Sequence, residues 1–474
     1  MTNFMAPSFL LPLLCLLTTA TVTAVATTTT TITIPLTPLA IKHASSDPHK
    51  LLNSLAISSL SRAQHLKSKS QIKTKTNSSS SISTPLTGHS YGGYTISLSF
   101  GTPPQTTTLI FDTGSSLVWF PCTAHYLCSR CSFPNVNPSH ISTFIPKKSS
   151  TSKIIGCSNP KCAWIFGSEV AARCKNCDPN DQACSQTCPP YILQYGLGST
   201  AGLLLSETLE FPNKKRPDFL VGCSIVSNRQ PAGIGGFGRG KESLPSQLGV
   251  GKFSYCLLSR KLDDTSVSSN LVLDTGSVSG NSTTSNLRYT PFLKNPTGVN
   301  SAFGEYYYVL LRKVIVGNRH VKAPYRFLVP GSDGNGGTIV DSGSTFTFME
   351  KPVFDAVAEE FIKQVGNDSR ASKEEIQSGV RPCFKISGDK SVNIPKLTFQ
   401  FKGGSKMALP LENYFAYYGN ESVICLMIIT DNAVEPGSSS TGPAIILGSF
   451  QLQNFYVEFN LGNEKFGFAR KKCS

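Results

Sequence analysis

Leu109-Ile110-Phe111-Asp112-Thr113-Gly114-Ser115-Ser116 and Thr338-Ile339-Val340-Asp341-Ser342-Gly343-Ser344-Thr345 decide the reading of this chain. Each is an apolar strand run closed by Asp, a hydroxyl residue, Gly and a second hydroxyl residue. Two such carboxylates held together cannot both ionise easily, so one keeps its proton while the other stays anionic. A pair of that kind can activate a water as a base and protonate a leaving group as an acid. A single Asp-Thr-Gly or Asp-Ser-Gly is as good a reading of a plain turn. The duplication is what points to chemistry.

A third copy competes: Leu271-Val272-Leu273-Asp274-Thr275-Gly276-Ser277. Context separates the three. Asp112 is followed by Gly233-Ile234-Gly235-Gly236-Phe237-Gly238, and Asp341 by Ala444-Ile445-Ile446-Leu447-Gly448-Ser449-Phe450. Both are apolar runs carrying Gly, which lets one backbone approach another closely. Asp274 runs instead into the polar turn Val278-Ser279-Gly280-Asn281-Ser282-Thr283-Thr284. It reads as the end of an ordinary strand.

The 474 residues are enough for two sizeable cores. Alternation marks strands at Tyr94-Thr95-Ile96-Ser97-Leu98-Ser99-Phe100, at Lys396-Leu397-Thr398-Phe399-Gln400-Phe401 and at Phe455-Tyr456-Val457-Glu458-Phe459. Helical patterning is sparse. It is clearest over 352–365, opened by Pro352, and shorter over 243–248. The fold class is mainly β.

Residues 1–26 read as a signal peptide, with a short apolar core over 9–17 and Ala24-Val25-Ala26 as the cleavage site, although no Lys or Arg precedes the core. No later stretch is long enough to span a bilayer. The product therefore reads as exported and without a membrane anchor. Fifteen Cys are present; Cys15 lies in the signal, leaving fourteen. These are Cys122, Cys128, Cys131, Cys157, Cys162, Cys174, Cys177, Cys184, Cys188, Cys223, Cys256, Cys383, Cys425 and Cys473. Cys128/Cys131 and Cys174/Cys177 have the spacing of zinc ligands, but behind a signal peptide disulfides are the expectation and metal is not. Sequence alone leaves their pairing open. Asn77, Asn281, Asn367 and Asn420 begin glycosylation sequons and mark surface loops.

Residues 27–88 are rich in Ser, Thr and Lys, with seven basic residues and Asp47 as the one acid, a net charge of +6. They read as a basic propeptide held over an acidic cleft by charge, or else as a disordered tail. Ordered structure is expected from about Tyr91. If exposed charge pairs hold the propeptide, added salt should hasten its release. The remaining net charge of +9 carries no basic run interleaved with aromatic residues, so no nucleic-acid partner is expected. It suits retention on an anionic extracellular matrix.

The stretch 126–190 is Cys-rich and poorly periodic, and reads as a disulfide-stapled insertion. Tyr195-Gly196-Leu197-Gly198 follows it, a turn between strands that could close over a bound peptide.

Together these residues resemble the pepsin-like aspartic proteases (peptidase family A1), in the plant nepenthesin-like branch, over 91–474. Trp119 stands seven residues after Asp112, as in that family, and Tyr195 falls on its flap tyrosine. Phe253-Ser254-Tyr255-Cys256-Leu257 and Cys473 also fit, and Leu197 stands where relatives often carry Asp or Ser. The resemblance implies a bilobal pepsin-like fold with a disulfide-rich insertion in the N-terminal lobe. That lobe would cover 89–290 with the first Asp and the flap; the C-terminal lobe would cover 291–474. Asp112 and Asp341 would be catalytic. Ser115 and Ser344 would hydrogen-bond the carboxylates, Thr113 and Ser342 would cross-brace the two loops, and Gly114 and Gly343 would let them approach. Tyr195, steadied by Trp119, would cover the substrate. No cofactor is implied, and the partner is a peptide or protein substrate cut by a monomer in the apoplast, cell wall or vacuole. The competing reading is a xylanase-inhibitor-like binding protein on the same fold.

Overall fold

Alternation between apolar and polar residues turns one face inward along strands such as Leu397–Phe401, while short strands such as Gly233–Gly236 and Ile445–Leu447 are buried on both faces. The computed structural model describes residues 31–38, 48–67 and most of 93–473. The longer segments outside the description are 1–30, 39–47, 68–92, 132–140, 175–185, 260–266, 276–285, 387–392 and 432–440. The signal peptide, Asn77, Asn281, Asn420, Cys177, Cys184 and Leu197 fall outside the described residues.

The fold is mainly β. Its largest sheet joins fifteen strands among the described residues. Strands β2 (Tyr94–Phe100) and β3 (Gln105–Asp112) form an antiparallel pair, with Ile96 opposite Leu109. The C-terminal hairpin, Phe455–Asn460 with Lys465–Arg470, joins the same sheet through Lys252–Cys256, where Phe253 faces Phe459. Both halves of the chain thus share one floor, and Phe253 stacks on Phe459 with ring centroids 4.6 Å apart. The expected helix at 352–365 is present as Lys351–Val365, with Val353, Phe354, Val357, Ala358 and Phe361 buried. The shorter one is Leu244–Leu248, capped by Ser243.

Order begins earlier than the sequence indicated. Residues Thr31–Pro38 form strand β1, and Pro48–Lys67 form a 20-residue helix, α1. β1 lies between β2 and the strand Ser269–Asp274, antiparallel to both, with Leu36 facing Ile96 and Ile34 facing Leu271. Its alternate residues Ile32, Ile34 and Leu36 point into the main core. α1 carries Leu52, Leu55, Ala56, Ser59, Arg62, Ala63 and Leu66, a stripe at three- and four-residue spacing. The apolar members of that stripe join a second cluster with Phe303, Tyr306, Phe346, Phe348 and Phe450. Composition hid this stripe: Ser and Thr are the commonest residues of 27–88, while burial depends on one face alone.

Twelve Cys pair as Cys122–Cys223, Cys128–Cys131, Cys157–Cys174, Cys162–Cys188, Cys256–Cys473 and Cys383–Cys425. Cys128 and Cys131, one of the two zinc-spaced pairs, bond to each other. Cys174, from the other, bonds to Cys157.

Candidate active site

β3 runs straight into the first Asp loop, and the short strand Thr338–Val340 runs into the second. Each is flanked by the Gly-bearing run that follows it in sequence. Gly233–Gly236 lies parallel to β3, with Gly236 beside Asp112; Ile445–Leu447 lies parallel to Thr338–Val340. The backbone then locks each Asp in place. The Phe237 N–H donates to the Asp112 carbonyl at 2.7 Å, and the Asp341 N–H donates to the Leu447 carbonyl at 3.0 Å.

The two loops meet through reciprocal bonds. The Thr113 N–H donates to Ser342 Oγ at 3.0 Å, and the Ser342 N–H donates to Thr113 Oγ1 at 2.9 Å. Each hydroxyl passes its own proton across, Thr113 to the Val340 carbonyl and Ser342 to the Phe111 carbonyl. Donors to the carboxylates are matched in the same way. Asp112 accepts from the Gly114 N–H at 2.9 Å and from Ser115 Oγ at 2.6 Å. Asp341 accepts from the Gly343 N–H at 3.0 Å and from Ser344 Oγ at 2.7 Å. The glycines are required by distance. A Cβ on Gly114 would stand 2.5 Å from Asp341 Oδ1, and one on Gly343 would stand 2.5 Å from Asp112 Oδ1.

Over the pair hangs the turn after Tyr191–Gln194, which returns as Ser199–Phe211. The Tyr195 N–H closes the turn on the Gly198 carbonyl at 2.7 Å. Trp119 Nε1 donates to the Tyr195 hydroxyl at 2.6 Å. Thus Asp112, Thr113, Gly114, Ser115, Trp119, Tyr195, Asp341, Ser342, Gly343 and Ser344 come together. Asp274 does not join them. It ends its strand opposite Thr31 and Lys252, with Lys252 Nζ 3.7 Å from its carboxylate. Asn367, within a sequon, is exposed.

The residue that sequence reading missed is Arg62. In the sequence it was one of seven cations; on α1 it is driven between the two Asp. Its Nη2 donates to Asp112 Oδ1 at 2.7 Å, and its Nε donates to Asp341 Oδ2 at 3.1 Å. Its central place on the buried stripe of α1 was the available signal. The flap lies flush on the same helix turn, where a Cβ on Gly196 would stand 2.5 Å from the Arg62 nitrogen. One turn on, the His65 ring lies 6.2 Å from that of Tyr195.

Burial and paired charges set the titration. Burial pushes Asp112 up to about 6, with Asp341 adding to the rise and Arg62 opposing it. Burial acts on Asp341 as well, but the Arg62 charge and hydrogen bond and the Ser344 hydroxyl outweigh it and hold that carboxyl below its usual range. The two carboxyls titrate as one unit. Burial, and then Arg62, bring the His65 imidazole down to about 4.

Comparison with known proteins places the chain in a family. The family models described as xylanase inhibitor N-terminal and xylanase inhibitor C-terminal match residues 94–277 and 306–470. A probable aspartyl protease of Arabidopsis thaliana is 33% identical over 80% of this chain and 82% of its own. Aspartic proteinase nepenthesin-1 of Nepenthes gracilis is 34% identical over 81% of this chain and 78% of its own. Among solved structures, edgp superposes with a TM-score of 0.60 at 21% identity, over 81% of this chain and 93% of that one. Soybean basic 7S globulin gives 0.56 at 18%, over 80% and 92%. The chain belongs to the pepsin-like aspartic proteases. Within them it falls in the plant branch that includes the nepenthesins, and it is a peptidase of the aspartic type.

Proposed function

We propose that the protein is an exported aspartic endopeptidase made as a self-blocked precursor. Asp112 and Asp341 hold a water between them once α1 has left. The anionic member takes the water's proton as its oxygen attacks the scissile carbonyl carbon. The protonated member gives its proton to the carbonyl oxygen. The resulting gem-diol collapses with transfer of a proton to the amide nitrogen, and the C–N bond breaks. Ser115 and Ser344 keep the two carboxyls oriented, Thr113 and Ser342 fix their separation, and Tyr195 with Trp119 excludes water. The observation that most supports this reading is the equivalence of the two Asp, each receiving a Gly N–H and a Ser hydroxyl from its own loop.

In the precursor Arg62 occupies the place of the water. Arg62 lowers the pKa of both carboxyls, so its docking favours their ionised forms. The block therefore weakens as pH falls toward the lowered value at Asp341, where Arg62 outweighs burial; at Asp112 burial wins and the net shift is upward. His65 acts in the same direction. Its held-down value means that acid favours the undocked helix, where the imidazole can take up a proton. Residues 1–26 would direct export and 27–88 would be removed. Among the described residues no helix is long and apolar enough to cross a membrane.

The reading as a binding protein keeps the fold but gives the carboxylates nothing to do. An acid-pH peptide cleavage assay separates the two. Wild-type protein should cut after acid treatment, and Asp112→Asn or Asp341→Asn should lower kcat/KM by about 10^3-fold or more while secretion holds. Equal cleavage by wild type and both variants would exclude the protease mechanism at these residues.

A further inference from the structure

α1 ends in a second buried cation. Lys67 stands five residues beyond Arg62 on the same helix. Its ammonium contacts the Glu350 carboxylate and lies 4.8 Å above the centroid of the Phe348 ring. Glu350 is only 4% exposed and immediately precedes the helix Lys351–Val365, whose N-terminus favours an anion. Its own N–H donates to the Ala444 carbonyl at 2.9 Å, which fixes the backbone beneath the carboxylate. Burial lowers the Lys67 amine to about 8 and Asp431 pulls the other way, so the side chain is cationic throughout the acid range. Asp431 also accepts from Gln64 Nε2 at 2.9 Å. The chain is pinned here as well, with Thr441 Oγ1 donating to the Lys67 carbonyl at 3.1 Å.

When α1 leaves the cleft, Glu350 loses this cation while its aromatic wall stays. The same seat would accept any long side chain that carries a positive charge over an aromatic face. We propose that the seat formed by Glu350, Phe348 and Asp431 is a specificity subsite for a Lys or Arg side chain of the peptide substrate, with Lys67 as its placeholder in the precursor. This rests on the endopeptidase reading of Asp112 and Asp341. Five residues of helix advance about 7.5 Å. An extended peptide covers that distance in about two residues. The basic residue thus belongs about two positions from the scissile bond, on the Glu350 side of the carboxylate pair. An acidic residue there meets two carboxylates and is rejected.

The test uses acid-processed protein and fluorogenic peptides identical except for Lys, Leu or Glu two residues from the cut bond, on one side or the other. It is run at the least acidic pH that still supports cleavage. On one side only, kcat/KM should fall in the order Lys, Leu, Glu, with about tenfold between Lys and Leu. Glu350→Gln should bring the Lys-to-Leu ratio close to one, and Asp431→Asn should lower it by about threefold. Equal rates for all peptides on both sides overturn the subsite without any variant, and so does a Lys preference that survives Glu350→Gln. If wild type cuts no peptide, the endopeptidase reading fails. Fluorescence anisotropy with the same peptides then decides the seat by itself: tighter binding of the Lys peptide keeps it, and equal binding removes it.

Discussion

β1 and α1 come from one basic N-terminal segment, yet they are held by opposite means. β1 is held by a ladder on both edges and by Ile32, Ile34 and Leu36 in the main core. No side chain of β1 itself titrates. α1 is held by an apolar stripe interrupted at its centre by Arg62, and at its end by Lys67, each against buried carboxylates. Part of that grip titrates. The comparison teaches that acid should loosen the helix before the strand, because a ladder and apolar burial are indifferent to pH in a range where carboxylates change charge. It also revises the expectation about salt. The Arg62 pairs have side chains no more than 10% exposed, so mobile ions reach them poorly and added salt should do little to release the helix.

The largest effect expected on this comparison is all-or-none. A precursor carrying Asp112→Asn, purified and held in acid, should keep its N-terminal segment uncut on a gel while wild type loses it, if removal depends on the protein's own carboxylates. Processing at the wild-type rate would mean that another peptidase cuts the segment and that α1 answers only to access.

Next in size is Arg62→Ala. Without the guanidinium, undocking of α1 takes up fewer protons, so its pH dependence should flatten. The midpoint of processing should move up by about one pH unit. An unchanged midpoint would assign the grip of α1 to Leu52, Leu55 and Leu66 alone.

Leu36→Ala, placed in the uncut Asp112→Asn precursor, probes the other side. Leu36 is fully buried. Its truncation should cost about 3 kcal/mol in denaturant unfolding, equally at neutral and at mildly acid pH. A cost that appears only in acid would erase the distinction between the two elements. Asp274→Asn should be the smallest change, within about 0.5 kcal/mol of wild type and with full peptidase activity. Loss of activity there would move the reaction centre to the wrong copy of the motif.

Much of the site was legible because its determinants are local. The Asp, hydroxyl, Gly, hydroxyl order supplies each carboxylate with its own N–H and hydroxyl donors within three residues, and a strand must deliver it. The Gly-bearing runs after Asp112 and Asp341 marked the strands that would flank them, and the absence of such a run after Asp274 set that copy aside. Strands at 94–100, 397–401 and 455–460 followed from alternation, which reports one buried face directly. The segment before Tyr91 was harder. Its composition resembles an unfolded chain, and the stripe on α1 contains Ser59 and Arg62 where an apolar pattern would be sought.

The sequence by itself therefore determined the mainly β class, the two half-sites and the choice among three Asp, since each depends on residues close together in the chain. The bonds that Thr113 and Ser342 exchange across 229 positions were expected from the family resemblance; tertiary structure alone decided that one cation among seven enters the centre. A buried charge is tolerable only where opposite charges converge on it, and that convergence arises from packing the helix against both loops at once.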